Sequence, residues 1–360
     1  MRDRAGPGPR ARGAAGLDGA GRRGQGRGGG TVTEFFARAR ANIALSKYWG
    51  KADRALNLPA VPSLSLTLDD LVTETTAGRD ESLTADHVEL DGTLRAGDEA
   101  KTLGAFLALV RSRAGVSEGA PGSFLRVRSF NRFPTASGLA SSASGYAALA
   151  AAATAAYGLR LDAPALSALA RRGSASAARS VFGGWVELPA GAPGDDTTGA
   201  HPLFGPEHWD VAMVLALVDR GPKDVASRDG MRRTAETSPY YGAWLAAAPL
   251  LHARVRAAVT ARDLAATGEA MEASTMAMHA SAWAAQPAVR YARGVTLDVL
   301  DVVASLRRGG VGAWATMDAG PHVKVLCASA DAETVAARLR ETPKVLEARI
   351  ARPGAGIEAS

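Results

Sequence analysis

A single cysteine, Cys327, occurs among 360 residues, which excludes an intramolecular disulfide. Its place in the apolar run Val323-Lys-Val-Leu-Cys reads as a small core residue in a reducing compartment. Histidine is sparse and scattered, at 87, 201, 208, 252, 279 and 322, without the spacing of a zinc site. Long apolar runs are missing too: the longest, around residues 145–157, is short and mostly alanine, too little for a membrane span. The N-terminus lacks the apolar stretch of a secretory signal. Basic charge is scarcer than the net +6 suggests, because residues 1–30 hold seven arginines and two aspartates and so account for +5 of it. A nucleic-acid binder concentrates basic residues on its folded part, and this chain does not. The first 30 residues, mostly Gly, Arg, Pro and Ala, are too poor in apolar side chains to fold alone. They read as a disordered tail or a start assigned too far upstream, with a weak RNA-binding arm as the alternative. The expectation is a cytoplasmic protein with neither a membrane nor a nucleic-acid partner.

What is present is a large apolar fraction, 47%, enough for a sizeable core and two domains. The Pro-, Gly- and Asp-rich residues 189–209 mark the boundary, giving units at 31–205 and 206–347 with a flexible tail at 348–360. Strand periodicity appears before Ile43, at Ser63–Leu68, Val72–Thr76 and Val88–Leu90, with Gly78 and Asp91-Gly92 as turns. With a helix at 99–113, the first unit is α+β. In the second, an apolar strand at 211–218 precedes helices at 240–261, 264–278 and 290–307. More strands and a helix at 333–341 follow, an order compatible with a ferredoxin-like unit.

The chain is organised around Asn131-Arg-Phe-Pro-Thr-Ala-Ser-Gly-Leu-Ala-Ser-Ser-Ala-Ser-Gly145, between an alternating strand and an alanine-rich helix. Strand, small-residue loop and helix N-terminus form an anion-binding geometry. Gly138 lets the backbone approach closely, and Ser141 and Ser142 add hydroxyls for a phosphate or its metal. A tight turn packed with small residues is the alternative. This stretch carries neither GxxxxGK[ST] nor GxGxxG spacing.

Four further places stand out. Ala44-Leu-Ser-Lys-Tyr-Trp-Gly-Lys51 sets two lysines around a phenol, which suits a multiply charged substrate or a solvated loop with an aromatic anchor. Helical geometry from Ser174 puts Ser176 and Arg179 side by side, a fork for a carboxylate or simply a capped helix with a surface arginine. Lys223, Ser227, Arg228 and Arg232 make a cationic connection, or a solvated loop. Asp318, between an apolar strand and Ala-Gly-Pro, fits a carboxylate that orients or deprotonates a hydroxyl, or an ordinary turn residue.

With Asn42–Lys51, Asn131–Ala143, Arg172-Gly-Ser-Ala-Ser-Ala-Ala-Arg-Ser, Gly230-Met231 with Glu236-Thr-Ser-Pro239, and Met317-Asp-Ala-Gly-Pro321 in this order, the chain resembles the diphosphomevalonate decarboxylases of the GHMP small-molecule kinase superfamily. The likeness covers roughly residues 31–345. It implies a two-domain GHMP kinase-like α+β fold, ribosomal-S5-like then ferredoxin-like, with the active site in the cleft between them. It implies an enzyme, a homodimer, that uses ATP and Mg2+ to convert mevalonate 5-diphosphate to isopentenyl diphosphate, ADP, phosphate and carbon dioxide. By the same resemblance Asn131, Gly138, Leu139, Ala140, Ser141 and Ser142 cradle ATP, with Ser141 also catalytic and at the metal. Asp318 contacts the 3-hydroxyl as base or orienter, while Ser174 and Arg179 hold the carboxylate. Tyr48, Lys51, Ser176, Ser227 and Arg228 surround the diphosphate, Met231 lines the substrate site, and Lys47 lies near the transferring phosphoryl group. Ala175, Val61-Pro62, Ala226 and His322 depart from the family pattern without removing a charged group. Phosphomevalonate decarboxylation and 3-kinase activity are the sister alternatives, and a non-catalytic RNA- or ligand-binding paralogue is the reading from another class.

Overall fold

Alternating apolar residues over 34–46 and 63–79 build two long strands, β1 (Glu34–Ser46) and β4 (Ser63–Arg79), that pair antiparallel for most of their length. Between them lie the short pair β2 (Lys51–Asp53) and β3 (Leu58–Pro59). The computed structural model describes residues 33–133, 141–221 and 223–360. The first half continues through β5 (His87–Leu90), β6 (Thr93–Leu94), α1 (Gly97–Arg113), β7 (Leu125–Asn131), α2 (Ser141–Ala156) and α3 (Ala163–Gly173). A 3₁₀ turn (Ala175–Val181), β8 (Trp185–Leu188) and β9 (His201–Phe204) complete it. One sheet runs β14-β1-β4-β7-β5-β6, with β8 pairing the other end of β4 and β9 pairing β8. The alanine-rich α2 is buried against it with α1 and α3, where small side chains let backbones approach closely.

The second half contains β10 (Val211–Leu217), α4 (Ser227–Thr237), α5 (Tyr241–Ala261), α6 (Leu264–Trp283) and α7 (Gly294–Arg308). It closes with β11 (Ala313–Met317), β12 (Val323–Ala328), α8 (Ala332–Arg340), β13 (Glu347–Ala351) and β14 (Glu358–Ala359). Its antiparallel sheet runs β11-β12-β10-β13, the order of a ferredoxin-like βαββαβ unit, with α4 to α6 inserted before α7. Buried valines and alanines of this sheet pack on α7 and α8. Its other face meets α5, α6 and the inner side of the first sheet, so the two halves share a core.

Four expectations need correction. Gly78 is no turn: it pairs with Glu34 on one side and Arg126 on the other, and the strand runs on to Arg79. Residues 227–237 form α4 rather than a loop, so the cationic residues sit in its first turns. Ser174 is extended (φ −151°, ψ 127°), and the segment after it is a 3₁₀ turn following α3, which Asp162 caps through the Ala165 N–H at 2.9 Å. Finally, residues 348–360 are not a loose tail. β13 joins β10, the Gly354 N–H donates to Thr67 O at 2.8 Å, and β14 covers the open edge of β1. Their Ala-, Gly- and Pro-rich composition shows no strand period, which hid backbone groups that a sheet edge could satisfy. The expected disordered segment 1–30 lies outside the described residues.

Candidate active site

β1 ends in Ser46, and Lys47 follows at the junction of the two halves. Gly50, three residues on, has φ +105°, and a Cβ there would meet the Tyr241 hydroxyl at 2.0 Å. Only glycine fits that turn. Lys47 is 2% exposed; its Nζ donates to Asp318 Oδ1 at 2.6 Å and to Ala44 O at 2.9 Å. Asp318 stands on the turn after β11, and its Oδ2 forms an ion pair at 3.0 Å with Lys324 of β12, which is 0% exposed. Burial opposes the Asp318 charge, but Lys324 and Lys47 outweigh it and hold the carboxyl well below the usual carboxylate range. Lys47 is pushed down to about 8 by burial, with Asp318 opposing. Sequence reasoning missed Lys324, although a lysine inside the apolar strand Val-Lys-Val-Leu-Cys demands a buried partner and so was a signal.

Arg179 projects from the 3₁₀ turn and is 2% exposed. Its Nε donates to Asn42 Oδ1 at 3.1 Å and Ser65 Oγ at 3.0 Å, and its Nη1 to Ser63 Oγ at 2.6 Å. Among the described residues these partners are all neutral, and burial lowers the guanidinium to about 10. The period of three in a 3₁₀ turn sets Ser176 over Arg179, and the Ser174 and Ser176 hydroxyls lie 3.0 Å apart. The Tyr48 hydroxyl is buried without a partner among the described residues. Burial pushes the Tyr48 phenol far up.

These groups line one cavity of about 150 Å³, bordered by Lys47, Tyr48, Ser142, Ser174, Ser176, Arg179, Lys223, Ser227, Met231 and Asp318. Ser142 continues into a cavity of about 710 Å³ between α1, β7 and α2, where Asn131 and Ser141 also lie. Met231 continues into a groove of about 600 Å³ that carries Lys51 and Arg228. Lys51 is brought down to about 8 by burial and then by the neighbouring Arg228 and Arg54. The expected site residues are thus gathered in one cleft, with Ser141, Asn131, Lys51 and Arg228 in its two arms rather than its centre. Gly138, Leu139 and Ala140 lie outside the described residues.

Two more residues that border the cavity had no role assigned from the sequence. Asn42 orients Arg179, and Lys223, lowered to about 8 by burial and then by Lys324, places its Nζ 3.5 Å from Ser227 Oγ. Ala226, where a serine was expected, gives α4 no side-chain cap. His322, standing for an asparagine, accepts the Val218 N–H at 3.2 Å and is a packing residue. No three His, Cys, Asp or Glu side chains converge as a metal site among the described residues. Nor is any described helix long and apolar enough to cross a membrane. Chemically, the cleft offers an ionised carboxylate flanked by ammonium groups, a guanidinium with no ion pair among the described residues and a row of hydroxyls. It suits a small substrate carrying several negative charges and a hydroxyl.

Comparison with known proteins agrees. Residues 39–199 match the diphosphomevalonate decarboxylase-like N-terminal domain, and residues 213–350 match the mevalonate 5-diphosphate decarboxylase C-terminal domain. Diphosphomevalonate decarboxylase of Candida albicans is 35% identical over 308 residues, spanning 82% of this chain and 85% of its own. The crystal structure of mevalonate diphosphate decarboxylase from Staphylococcus aureus superposes with a TM-score of 0.85 at 36% identity, covering 92% of this chain and 98% of that one. A complex of MDDEF with MVAPP, AMPPCP and magnesium gives a TM-score of 0.84 at 41% identity, covering 92% and 99%.

Proposed function

This chain belongs to the diphosphomevalonate decarboxylase family, and on that premise we infer that it decarboxylates mevalonate 5-diphosphate at the expense of ATP. The products are isopentenyl diphosphate, ADP, phosphate and carbon dioxide. The observation that carries this reading is the shared cavity of Lys47, Ser142, Arg179 and Asp318, four groups from distant parts of the chain. The substrate's 3-hydroxyl is a poor leaving group until phosphorylated; once the phosphate departs, the electron-poor C3 draws the electrons of the bond to the carboxylate.

In our assignment Asp318 receives the hydrogen bond of the 3-hydroxyl and aims it at the γ-phosphoryl group. With two ammonium groups on its carboxylate it is a weak proton acceptor, which favours orientation over general-base catalysis. Phosphoryl transfer asks mainly for positioning and charge stabilisation, so this suffices. Arg179, whose partners are neutral, takes the substrate carboxylate together with Ser174. Tyr48, Ser176, Ser227, Lys51 and Arg228 hold the diphosphate, with Met231 against the carbon chain. Lys47 neutralises the transferring phosphoryl group. Asn131, Ser141 and Ser142, with residues 138–140, hold ATP, whose nucleoside fits the cavity of about 710 Å³. Magnesium fits as an ion carried by the nucleotide phosphates, with Ser141 offering a hard hydroxyl oxygen; when bound it neutralises phosphate charge. We further propose a cytoplasmic homodimer divided near residue 205.

Parallel assay of ADP and carbon dioxide with mevalonate 5-diphosphate and its monophosphate tests the reading. Equimolar release on the diphosphate is expected. ADP without carbon dioxide would make the chain a 3-kinase, and a preference for the monophosphate would shift the substrate.

A further inference from the structure

The pairing of β1 with β4 shifts register between Ala44 and Ser46. At this bulge the Leu64 N–H donates to the Ser46 hydroxyl at 2.7 Å, a side-chain acceptor within the ladder. The next residue, Lys47, anchors its own N–H on Ser274 Oγ of α6 at 2.9 Å. Bulges re-aim side chains beside active sites, and here the chain leaves the sheet with the Lys47 ammonium on Asp318. Two more groups hold the same hydroxyl in place. His252 of α5 sets Nδ1 2.9 Å from Ser46 Oγ, and its Nε2 lies 2.7 Å from Glu187 Oε1 of β8.

The charge on Glu187 fixes the direction of the outer bond. Glu187, held at about 2 first by its bond to His252 and further by Arg256, is a carboxylate and only accepts, so His252 Nε2 donates. Ser46 Oγ accepts from Leu64 and keeps a second lone pair, so its bond to Nδ1 runs from the hydroxyl when the ring carries one proton and from Nδ1–H when it carries two. The order serine, histidine, carboxylate is that of a hydrolytic nucleophile. Here it is closed off: Ser46 is 1% exposed and lines none of the three cavities of the cleft.

We propose that Ser46, His252 and Glu187 are positioning residues for the reaction, a buried relay that pins the bulge and thereby the Lys47 ammonium. The proposal rests on the role assigned to Lys47 above. It joins β1 and β8 of the first sheet to α5, so the second half of the chain helps to set a group borne by the first.

The test compares the wild-type enzyme with Ser46→Ala, His252→Leu and His252→Gln, whose amide can accept from Ser46 and donate to Glu187. Loss of the relay should lower kcat about ten- to a hundredfold, the scale of a misplacement near 1 Å, with KM for both substrates nearly unchanged. His252→Gln should recover most of that loss. The double variant Ser46→Ala/His252→Leu should be no worse than the poorer single one, because both break one chain. Nitrogen NMR of the substrate-free enzyme should show His252 Nε2 protonated and the Nδ1 resonance moved by Ser46→Ala. Unchanged kcat with only a lower melting temperature, additive losses, or a His252 Nδ1 resonance unmoved by Ser46→Ala would overturn the relay. If His252→Leu does not fold, Ser46→Ala and the imidazole spectrum decide. Turnover by the wild-type enzyme tests the function itself separately, before any variant is compared.

Discussion

Arg171 and Arg179 lie eight residues apart, are 0% and 2% exposed, and do opposite things. Arg171 at the end of α3 is closed: its Nη2 meets Asp196 Oδ1 at 2.9 Å and Asp196 O at 2.9 Å, while Nη1 takes the Leu56 carbonyl. Arg179 in the next turn bonds, among the described residues, to Asn42, Ser63 and Ser65, none of them charged. Burying a cation without a counter-ion is costly, and a fold retains such a group where a ligand supplies the missing charge. The difference between a scaffold arginine and a site arginine is therefore visible in their partners, not in their burial.

Asp318 tests that rule hardest, since it is closed by two lysines and still borders the cavity. Asp318→Asn should lower kcat by about 10²–10⁴ and leave KM for ATP nearly unchanged. Turnover near that of the wild type would return Asp318 to the scaffold. Next in size, Arg179→Ala should reduce kcat/KM about 10²–10³ with little loss of stability. Arg171→Ala should instead cost about 3–5 kcal/mol of stability, read by denaturant unfolding, with kcat of the folded fraction preserved. Equal kinetic losses for the two arginines would break the comparison. Smaller again, Lys51→Ala or Arg228→Ala should raise KM for the diphosphate substrate about tenfold and spare kcat, because both stand in an arm of the cleft rather than at the reacting centre. A kcat loss as large as that of Arg179→Ala would move them to the centre.

Much of this was legible in the chain because periodicity and small-residue loops are local signals. The strand before Asn131, the alanine helix after it and the alternation of strands and helices in the second unit follow from patterns a reader can count. The gathering of Lys47, Arg179 and Asp318 was legible only through resemblance, since no local pattern links residues 47, 179 and 318. What stayed hidden was pairwise. Lys324 reads as one charge in an apolar strand until Asp318 is placed 3.0 Å away, and His252 is a lone histidine on α5 until Ser46 and Glu187 flank it. The closing strands at 347–351 and 358–359 were missed for the same reason, because their partners β10 and β1 lie far back in the chain.

The lysines extend the contrast to pH, because they lose their protons at lower pH than Arg179 does. Lys47, Lys51 and Lys223 are each lowered to about 8, first by burial, from an ordinary 10.5. If their ammonium groups hold phosphates, kcat/KM falls as pH rises through about 8, at least tenfold per unit once the limb is reached. Stability moves the other way. Between pH 8 and 10.5 the unfolded chain binds more protons at these sites than the folded one, so their contribution to stability rises with pH while activity is lost. Paired pH profiles of kcat/KM and of unfolding free energy check both signs, and a flat activity profile to pH 9.5 would remove the lysines from the chemistry. Asp318 sharpens the point, since its charge is what keeps the Lys47 proton from leaving earlier. In Asp318→Asn the residual activity should therefore decline at lower pH than in the wild type; an unmoved limb would assign it to Lys51 or Lys223 instead.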